Sequence, residues 1–309
     1  MHPEIKGALS CSGDPSGPLL FSLVLKVLTD RIEFVVPDLA VNAWYLDDGV
    51  LIGKSAAVKQ ALDIIMAEGE GLGLHLNLGK CELWWSTPDP HWTLFPAEIP
   101  RVTATGLQLL GGAVGGDAFV QGQLLRRVQK VVSELHRLEE LEDSQTQLLL
   151  LRHCLGFAKV AYAMRTSPPR IASDPMSALD AAVTDSLQSI VGGVMSPAAR
   201  AQAALPVAKG GLGVRESAPA AEAAYLSSWS ATRRLQAQIL RVPASDLPPT
   251  AAAVSSLAAL NARSDGPAWT LEALLGQLPT QEQLLERAEA AASRRVGTCL
   301  TAHDSSRWR

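Results

Sequence analysis

Cysteine is scarce in this chain of 309 residues, which contains only four. Cys11, Cys81, Cys154 and Cys299 lie far apart, without the close spacing of a disulfide framework or a zinc module. Cys299 and His303 could supply at most two metal ligands, so chance is the simpler explanation of that pair. The scarcity argues against small disulfide-stapled domains and against zinc modules.

The chain also lacks an excess of positive charge and a long apolar run. Lys and Arg number 27 against 31 Asp and Glu, which gives a net charge of −4 at pH 7. Nucleic-acid-binding proteins usually carry a basic surface, so the overall charge does not favour that function. We expect no membrane partner and an intracellular location, nuclear or cytoplasmic, because neither a signal peptide nor a bilayer-spanning run is present.

Apolar residues make up 47% of the sequence, enough for one large or two modest domains. Residues 1–86 have mixed α/β character, and 87–121 read as a connection with short β segments. Residues 122–242 and 243–309 are helical, the latter with a frayed tail. The predicted fold class is therefore α+β. The main predicted helices are 19–32, 56–72, 122–141, 144–165 and 175–191, and strands are expected at 81–85 and 106–113.

The most informative segment is Asn42–Ile52, two short apolar strands joined by a turn with two adjacent carboxylates, Asp47 and Asp48. Two negative charges at a hairpin tip repel each other and lose solvation. A hard divalent cation such as Mg²⁺ or Mn²⁺ would offset that cost. The alternative is an ordinary hairpin turn, since most such turns bind nothing.

Two flanking segments bear on this choice. Upstream, the turn residues Gly13, Asp14 and Pro15 lead into a helix whose N-terminus could approach a phosphate or nucleotide, although an ordinary amphipathic helix would look the same. Downstream, Lys80 stands between a turn and a strand, where an exposed surface lysine is the simpler explanation.

In this order, the segments resemble the palm of reverse transcriptases of non-long-terminal-repeat retrotransposons. The matching pieces are Gly13-Asp-Pro-Ser-Gly-Pro-Leu-Leu-Phe21, Tyr45-Leu-Asp-Asp48 and Gly73-Leu-His-Leu-Asn-Leu-Gly-Lys-Cys81, followed by a strand. The resemblance continues to about residue 230. It implies a partial palm over 1–86 and a thumb-like helical region over 122–242.

The resemblance implies RNA-directed DNA polymerisation by two metal ions, with an RNA template, a DNA primer and deoxynucleoside triphosphates. Asp47 and Asp48 would bind Mg²⁺ or Mn²⁺, and Lys80 would lie near the leaving phosphate. Gly13, Asp14 and Pro15 would shape the loop against template and incoming nucleotide, and Tyr45 would pack under the hairpin. These roles are expectations carried over from the family.

Three departures from the family pattern lead us to expect an inactive fragment. The family's first metal-binding aspartate lies upstream of Asp14 on a strand paired with the hairpin, and no Asp precedes Asp14 here. The family's fingers are also missing, and Ser12 stands where the family usually has Gln. Two alternatives remain: a polymerase whose missing half is supplied elsewhere, or a repurposed module that binds nucleic acid or protein.

Either binding role has a candidate surface. A hairpin without its neighbouring strand leaves an edge that could pair with a partner. Seven basic residues gather in the first helices after the palm and could contact a duplex, although acidic residues interleave with them and favour an ordinary solvated face. They are Arg126, Arg127, Lys130, Arg137, Arg152, Lys159 and Arg165.

Overall fold

The structure is a computed structural model that describes residues 5–7, 15–85, 90–264, 267–286, 290 and 294. The chain divides into two compact units, Met1–Gly116 with Leu235–Asp246 and Asp117–Arg234 with Leu247–Arg309. Helices dominate, and the strands form small and mostly antiparallel sheets. The predicted α+β class is therefore confirmed.

The first unit contains all eight strands of the described residues, arranged as four separate two-stranded sheets. In chain order its elements are β1 Ile5–Gly7, α1 Gly17–Val35, β2 Val41–Tyr45, β3 Asp48–Ile52, α2 Ser55–Glu68, β4 Leu74–Leu76, β5 Leu83–Trp84, β6 Arg101–Val102, β7 Gly106–Leu109 and β8 Gly112–Gly115. The pairs β1–β4, β2–β3 and β7–β8 are antiparallel, and β5–β6 is parallel.

Helices α1 and α2 supply half of the buried core residues of this unit. The buried residues of α1 are Leu25, Leu28 and Ile32, at the spacing of one helical face. Helix α1 starts with a proline in its first turn, where the missing N–H costs nothing. It ends at Val35 because Val36 precedes a proline and is disfavoured from helical geometry.

The connection between β5 and β6 folds around the side chain of Arg101. Its guanidinium donates to the carbonyl oxygens of Pro96 (2.7 Å) and Phe95 (2.9 Å), and also to that of Ile99. It lies 6.0 Å from the ring centre of Trp92. One side chain thus satisfies several backbone acceptors of an irregular segment and holds Phe95 against the core.

The second unit is helical. Its helices are α3 Asp117–Leu138, α4 Ser144–His153, α5 Phe157–Thr166, α6 Pro169–Val191, α7 Pro197–Ala204, α8 Ala221–Leu240, α9 Ala251–Arg263 and α10 Leu271–Gln277. The last residues of α8 belong to the first unit. No helix of the described ranges is both long and apolar enough to cross a bilayer.

Helix α3 packs along α6 through a row of apolar side chains spaced three and four residues apart. The buried residues of α3 are Val120, Leu124, Val128, Val131, Leu135 and Leu138. Side-chain oxygens cap several helix starts: Asp143 accepts from Thr146 N at 2.9 Å, and Ser196 accepts from Ala199 N at 3.2 Å.

Three sequence expectations about element boundaries were wrong. The helix predicted over 144–165 is two helices, because Gly156 adopts φ +53° and ψ −124° and breaks the chain direction. The helix predicted to begin at Pro175 begins at Pro169, with Pro175 buried inside it. The strand predicted over 106–113 is the hairpin β7–β8, turned by Leu110 and Gly111 at positive φ.

Replacing Leu110 by Asn is expected to stabilise the first unit. Leu110 has φ +49° in a two-residue turn that favours Asn before Gly, and the left-handed conformation costs a β-carbon-bearing residue such as Leu about 1 kcal/mol. We expect Leu110→Asn to raise the free energy of unfolding by about 0.5–1 kcal/mol, measured by urea denaturation with tryptophan fluorescence. Leu94→Asn is the control, since both leucines are 45% exposed, and an equal effect there would refute the turn argument.

Candidate catalytic hairpin

The two carboxylates predicted as metal ligands lie at the tip of the hairpin β2–β3. Tyr45 is paired with Asp48, so the loop consists of only Leu46 and Asp47. Leu46 has φ +54°, a conformation that such loops require but that leucine rarely adopts. A strained, partly exposed apolar residue beside two carboxylates is the kind of outlier that concentrates at functional sites.

The base of the hairpin is fixed by Trp44 and Asn42. The Trp44 ring covers Gly49, its partner across the strands: a Cβ at Gly49 would lie 2.3 Å from Trp44 Cζ3. Trp44 Nε1 donates to Asn42 Oδ1 at 2.7 Å, and Asn42 Nδ2 donates to the Thr29 carbonyl oxygen on α1 at 3.1 Å. This chain of contacts attaches the hairpin to α1.

The register divides the hairpin into two faces. Asn42, Trp44, Gly49 and Leu51 share the face that meets α1 and the core, because paired residues lie on the same side of a sheet. Tyr45, paired with Asp48, falls on the other face and is 66% exposed. The expectation that Tyr45 packs under the hairpin was therefore wrong, since strand alternation directs it away from the core.

Asp47 and Asp48 are both partly buried. No Lys or Arg of the described residues forms an ion pair with either carboxylate. Over the same part of the chain, no three His, Cys, Asp or Glu side chains come together as a metal-binding group. The hairpin therefore offers two carboxylates to a cation.

The other predicted site residues are described only in part. Gly13 and Asp14 lie outside the described residues, and Pro15 is exposed in the turn before α1. Lys80 ends a short 3-10 helix, Leu78–Lys80, and is exposed. Where the structure describes the chain, no ion pair joins Lys80 to Asp47 or Asp48.

Helix α1 of the first unit has an open apolar surface. Its large exposed apolar side chains stand at helical spacing: Leu19, Leu20, Leu23, Val27 and Phe34, the last 82% exposed. Exposed apolar surface of this extent often marks an interaction site.

Only part of the basic group lies on one surface. Arg126, Lys130 and Arg137 are exposed along one stripe of α3, as their spacing of four and seven residues requires. Lys159 forms an ion pair with Glu134 at 2.9 Å. This ion pair, and then the nearby positive charges of Lys130 and Arg137, lower the pKa of Glu134.

Two further members of the group, Arg152 and Arg165, are engaged by other segments of the second unit. Arg152 packs against Gly213, where a Cβ would lie 2.8 Å from its Nε. Arg165 reaches Gln281 at 3.4 Å. The continuous basic face of the sequence hypothesis is therefore reduced to the stripe on α3.

A second carboxylate pair, in the second unit, was missed by sequence reasoning. Asp180 accepts hydrogen bonds from Ser217 N (2.7 Å) and Ala218 N (2.8 Å), yet burial raises its pKa. Burial of the Glu216 carboxyl and then the negative charge of Asp180 raise the pKa of Glu216, against the opposing charge of Arg200. All three residues line a cavity of about 20 Å³.

No local pattern could have revealed this pair, because Asp180 and Glu216 are brought together by the packing of α6 against the segment before α8. The pairing of Trp44 with Gly49 was not predicted either, because a two-residue turn on Asp47 and Asp48 would place Leu46 opposite Gly49, whereas the observed loop is Leu46 and Asp47. No sequence pattern indicated the contact of Asn42 with α1.

A comparison with models of protein families finds no match to this chain, and a comparison with curated proteins finds none either.

Replacing Glu216 by Gln is expected to change how stability depends on pH. Folding raises the pKa of Asp180 and of Glu216, so their stabilising contribution is complete below the ordinary carboxyl values and is lost as pH rises through the raised ones. The wild-type chain should therefore lose stability from this source as the pH rises above the ordinary carboxyl range of about 4. In Glu216→Gln, the free energy of unfolding should decrease less with rising pH, and the urea midpoint at neutral pH should be higher than in wild type.

Far-UV circular dichroism in urea measures this effect, because the helices of the second unit dominate the signal. Glu139→Gln is the matched control, since Glu139 is an exposed carboxylate just beyond α3. An identical pH dependence in Glu216→Gln and wild type would contradict a raised pKa of Glu216 in the folded chain.

Proposed function

We propose that this chain is a reverse-transcriptase-like polypeptide whose first unit is a partial polymerase palm and whose second unit is thumb-like. In this proposal Asp47 and Asp48 are the surviving metal ligands of a nucleotidyl-transfer site, and the chain by itself does not extend a primer. The observation that carries the proposal is the hairpin: a two-residue loop with a residue at positive φ presents two adjacent carboxylates without a basic partner among the described residues.

The donor set suits a hard cation but is incomplete for a two-metal centre. Mg²⁺ and Mn²⁺ prefer carboxylate oxygens, and two partly buried acidic groups without a cationic neighbour gain from such an ion. A bound pair of ions would supply charge stabilisation and alignment of the reacting oxygens. Because no third potential ligand joins Asp47 and Asp48 in the described ranges, these two residues should hold an ion weakly.

The protein's own part in the proposed site is positional. The contact of Asn42 with α1 and the cover of Trp44 over Gly49 hold the carboxylates on a rigid support. Tyr45 is exposed beside Asp48 and could contact a nucleotide rather than support the hairpin. The exposed Lys80 could contact a phosphate.

Manganese binding tests the metal ligands directly. We expect wild-type chain to bind Mn²⁺ with a dissociation constant of roughly 10⁻³ M, measured by water-proton relaxation, and Asp47→Asn or Asp48→Asn to weaken binding at least about tenfold. Asp63→Asn is the control, because Asp63 already pairs with Lys59 on α2. Mn²⁺ binding that survives both hairpin substitutions would contradict the assignment.

Primer extension tests the second half of the proposal. With an RNA template, a DNA primer, deoxynucleoside triphosphates and Mg²⁺ or Mn²⁺, we expect no product from this chain, because two ligands cannot hold two ions in position. Extension that Asp47→Ala abolishes would show that the chain is an active polymerase.

The stripe of Arg126, Lys130 and Arg137 on α3 favours nucleic acid as the partner. The three side chains are exposed on one face and span about 16 Å of helix, since each residue advances about 1.5 Å. Such a row can follow the phosphates of a template–primer duplex.

The salt dependence of binding tests this stripe. For an RNA–DNA duplex, we expect Lys130→Gln with Arg137→Gln to weaken binding and to reduce the slope of log K against log salt by about one per residue removed. Lys26→Gln is the control, since Lys26 is an exposed lysine paired with Asp30. A slope unchanged by the double substitution would exclude the stripe from the interface.

The exposed apolar stripe of α1 favours a second function, the binding of a protein partner. An apolar segment of that partner could pack over Leu20, Leu23 and Val27. Association that is insensitive to salt and sensitive to Val27→Lys would favour this function over nucleic-acid binding.

A further inference from the structure

The first unit contains a cavity of about 250 Å³ that is separate from the carboxylate tip of the hairpin. One wall is formed by Val50, Leu51 and Ile52 of β3. Another is formed by Trp84 and Trp85, and Phe95 contributes from the segment that Arg101 holds.

The walls of this cavity are apolar and aromatic. None of the residues that line it carries a charge. Its polar groups are already engaged in part: Trp84 Nε1 donates to the Ala104 carbonyl oxygen at 3.0 Å, and Trp85 Nε1 donates to Ser55 Oγ at 3.4 Å. A charged ligand would lose its solvation there without gaining a partner.

The shape of the aromatic wall also selects a kind of ligand. The rings of Trp85 and Phe95 meet edge to face, with centres 6.0 Å apart and planes at 72°. Flat rings gain from this offset geometry when they pack against an edge or a face. The wall therefore suits a planar aromatic group better than a branched aliphatic one.

We propose that this cavity is a binding site for a small, uncharged, planar aromatic molecule of one or two rings. The volume supports that size: an apolar protein cavity of about 150 Å³ accepts benzene, so one of about 250 Å³ has room for two fused rings. Nothing in this proposal depends on the metal ligands or on nucleic acid, so it can succeed or fail independently of the proposed polymerase ancestry.

Indole is a suitable probe because it is flat, neutral and bicyclic. In two-dimensional NMR spectra of the full chain, we expect indole to shift the side-chain N–H signals of Trp84 and Trp85 saturably, with a dissociation constant below about 1 mM. The signals of Trp229 and Trp269 in the second unit should stay in place. Indole-2-carboxylate, which has the same rings and a charge, should bind at least about tenfold more weakly.

Val114→Phe should reduce the affinity for indole at least about tenfold, because Val114 lines the cavity and is 45% exposed, so a larger side chain can fill the space from its open side. Val194→Phe is the matched control, since Val194 is 94% exposed in the second unit and should leave binding unchanged.

Three results would overturn the proposal. They are equal binding of indole and indole-2-carboxylate, shifts of similar size at all tryptophans, and an affinity for indole that Val114→Phe leaves intact. The first two are measured on the unaltered chain, so they decide the question even if Val114→Phe disturbs the fold.

Discussion

The contact between the Trp44 ring and Gly49 sets the arrangement of the candidate site. Only glycine leaves room for the ring, since a Cβ at position 49 would lie 2.3 Å from it. The contact therefore favours one strand register, and a shift of one residue would exchange the two faces of the hairpin. With this register, Asn42 reaches α1, Leu51 enters the core, and Asp48 lies with Tyr45 on the opposite face of the hairpin.

The same register connects the carboxylate tip to the aromatic cavity. Val50 and Ile52 lie on the face of β3 that Asp48 begins, and both line the cavity. One short strand thus carries a candidate metal ligand at one end and the wall of an apolar pocket along the rest. Strain in the loop at Leu46 is tolerated because three side chains hold the base of the hairpin. They are the buried Leu51, the indole of Trp44 and the amide of Asn42.

The second unit follows a different principle, helix packing by periodic apolar faces. The row of buried residues on α3 against α6 leaves the opposite face to Arg126, Lys130 and Arg137. The apolar pattern that builds this core therefore also produces the basic stripe. Neighbouring basic residues outside the stripe have structural contacts, as Arg152 with Gly213 and Lys159 with Glu134 illustrate.

Local sequence patterns by themselves determined the hairpin, the faces of α1 and α3 and the α+β class, because turn residues and apolar spacing act over a few residues. Only the tertiary structure decided what depends on distant contacts. The exposure of Tyr45, the break at Gly156, the meeting of Asp180 with Glu216 and the closing of a cavity by Phe95 against β3 all belong to that group. These features share one physical reason. Each depends on packing between segments that lie far apart in the chain, or on which face of an element meets the core, and a short sequence pattern specifies neither.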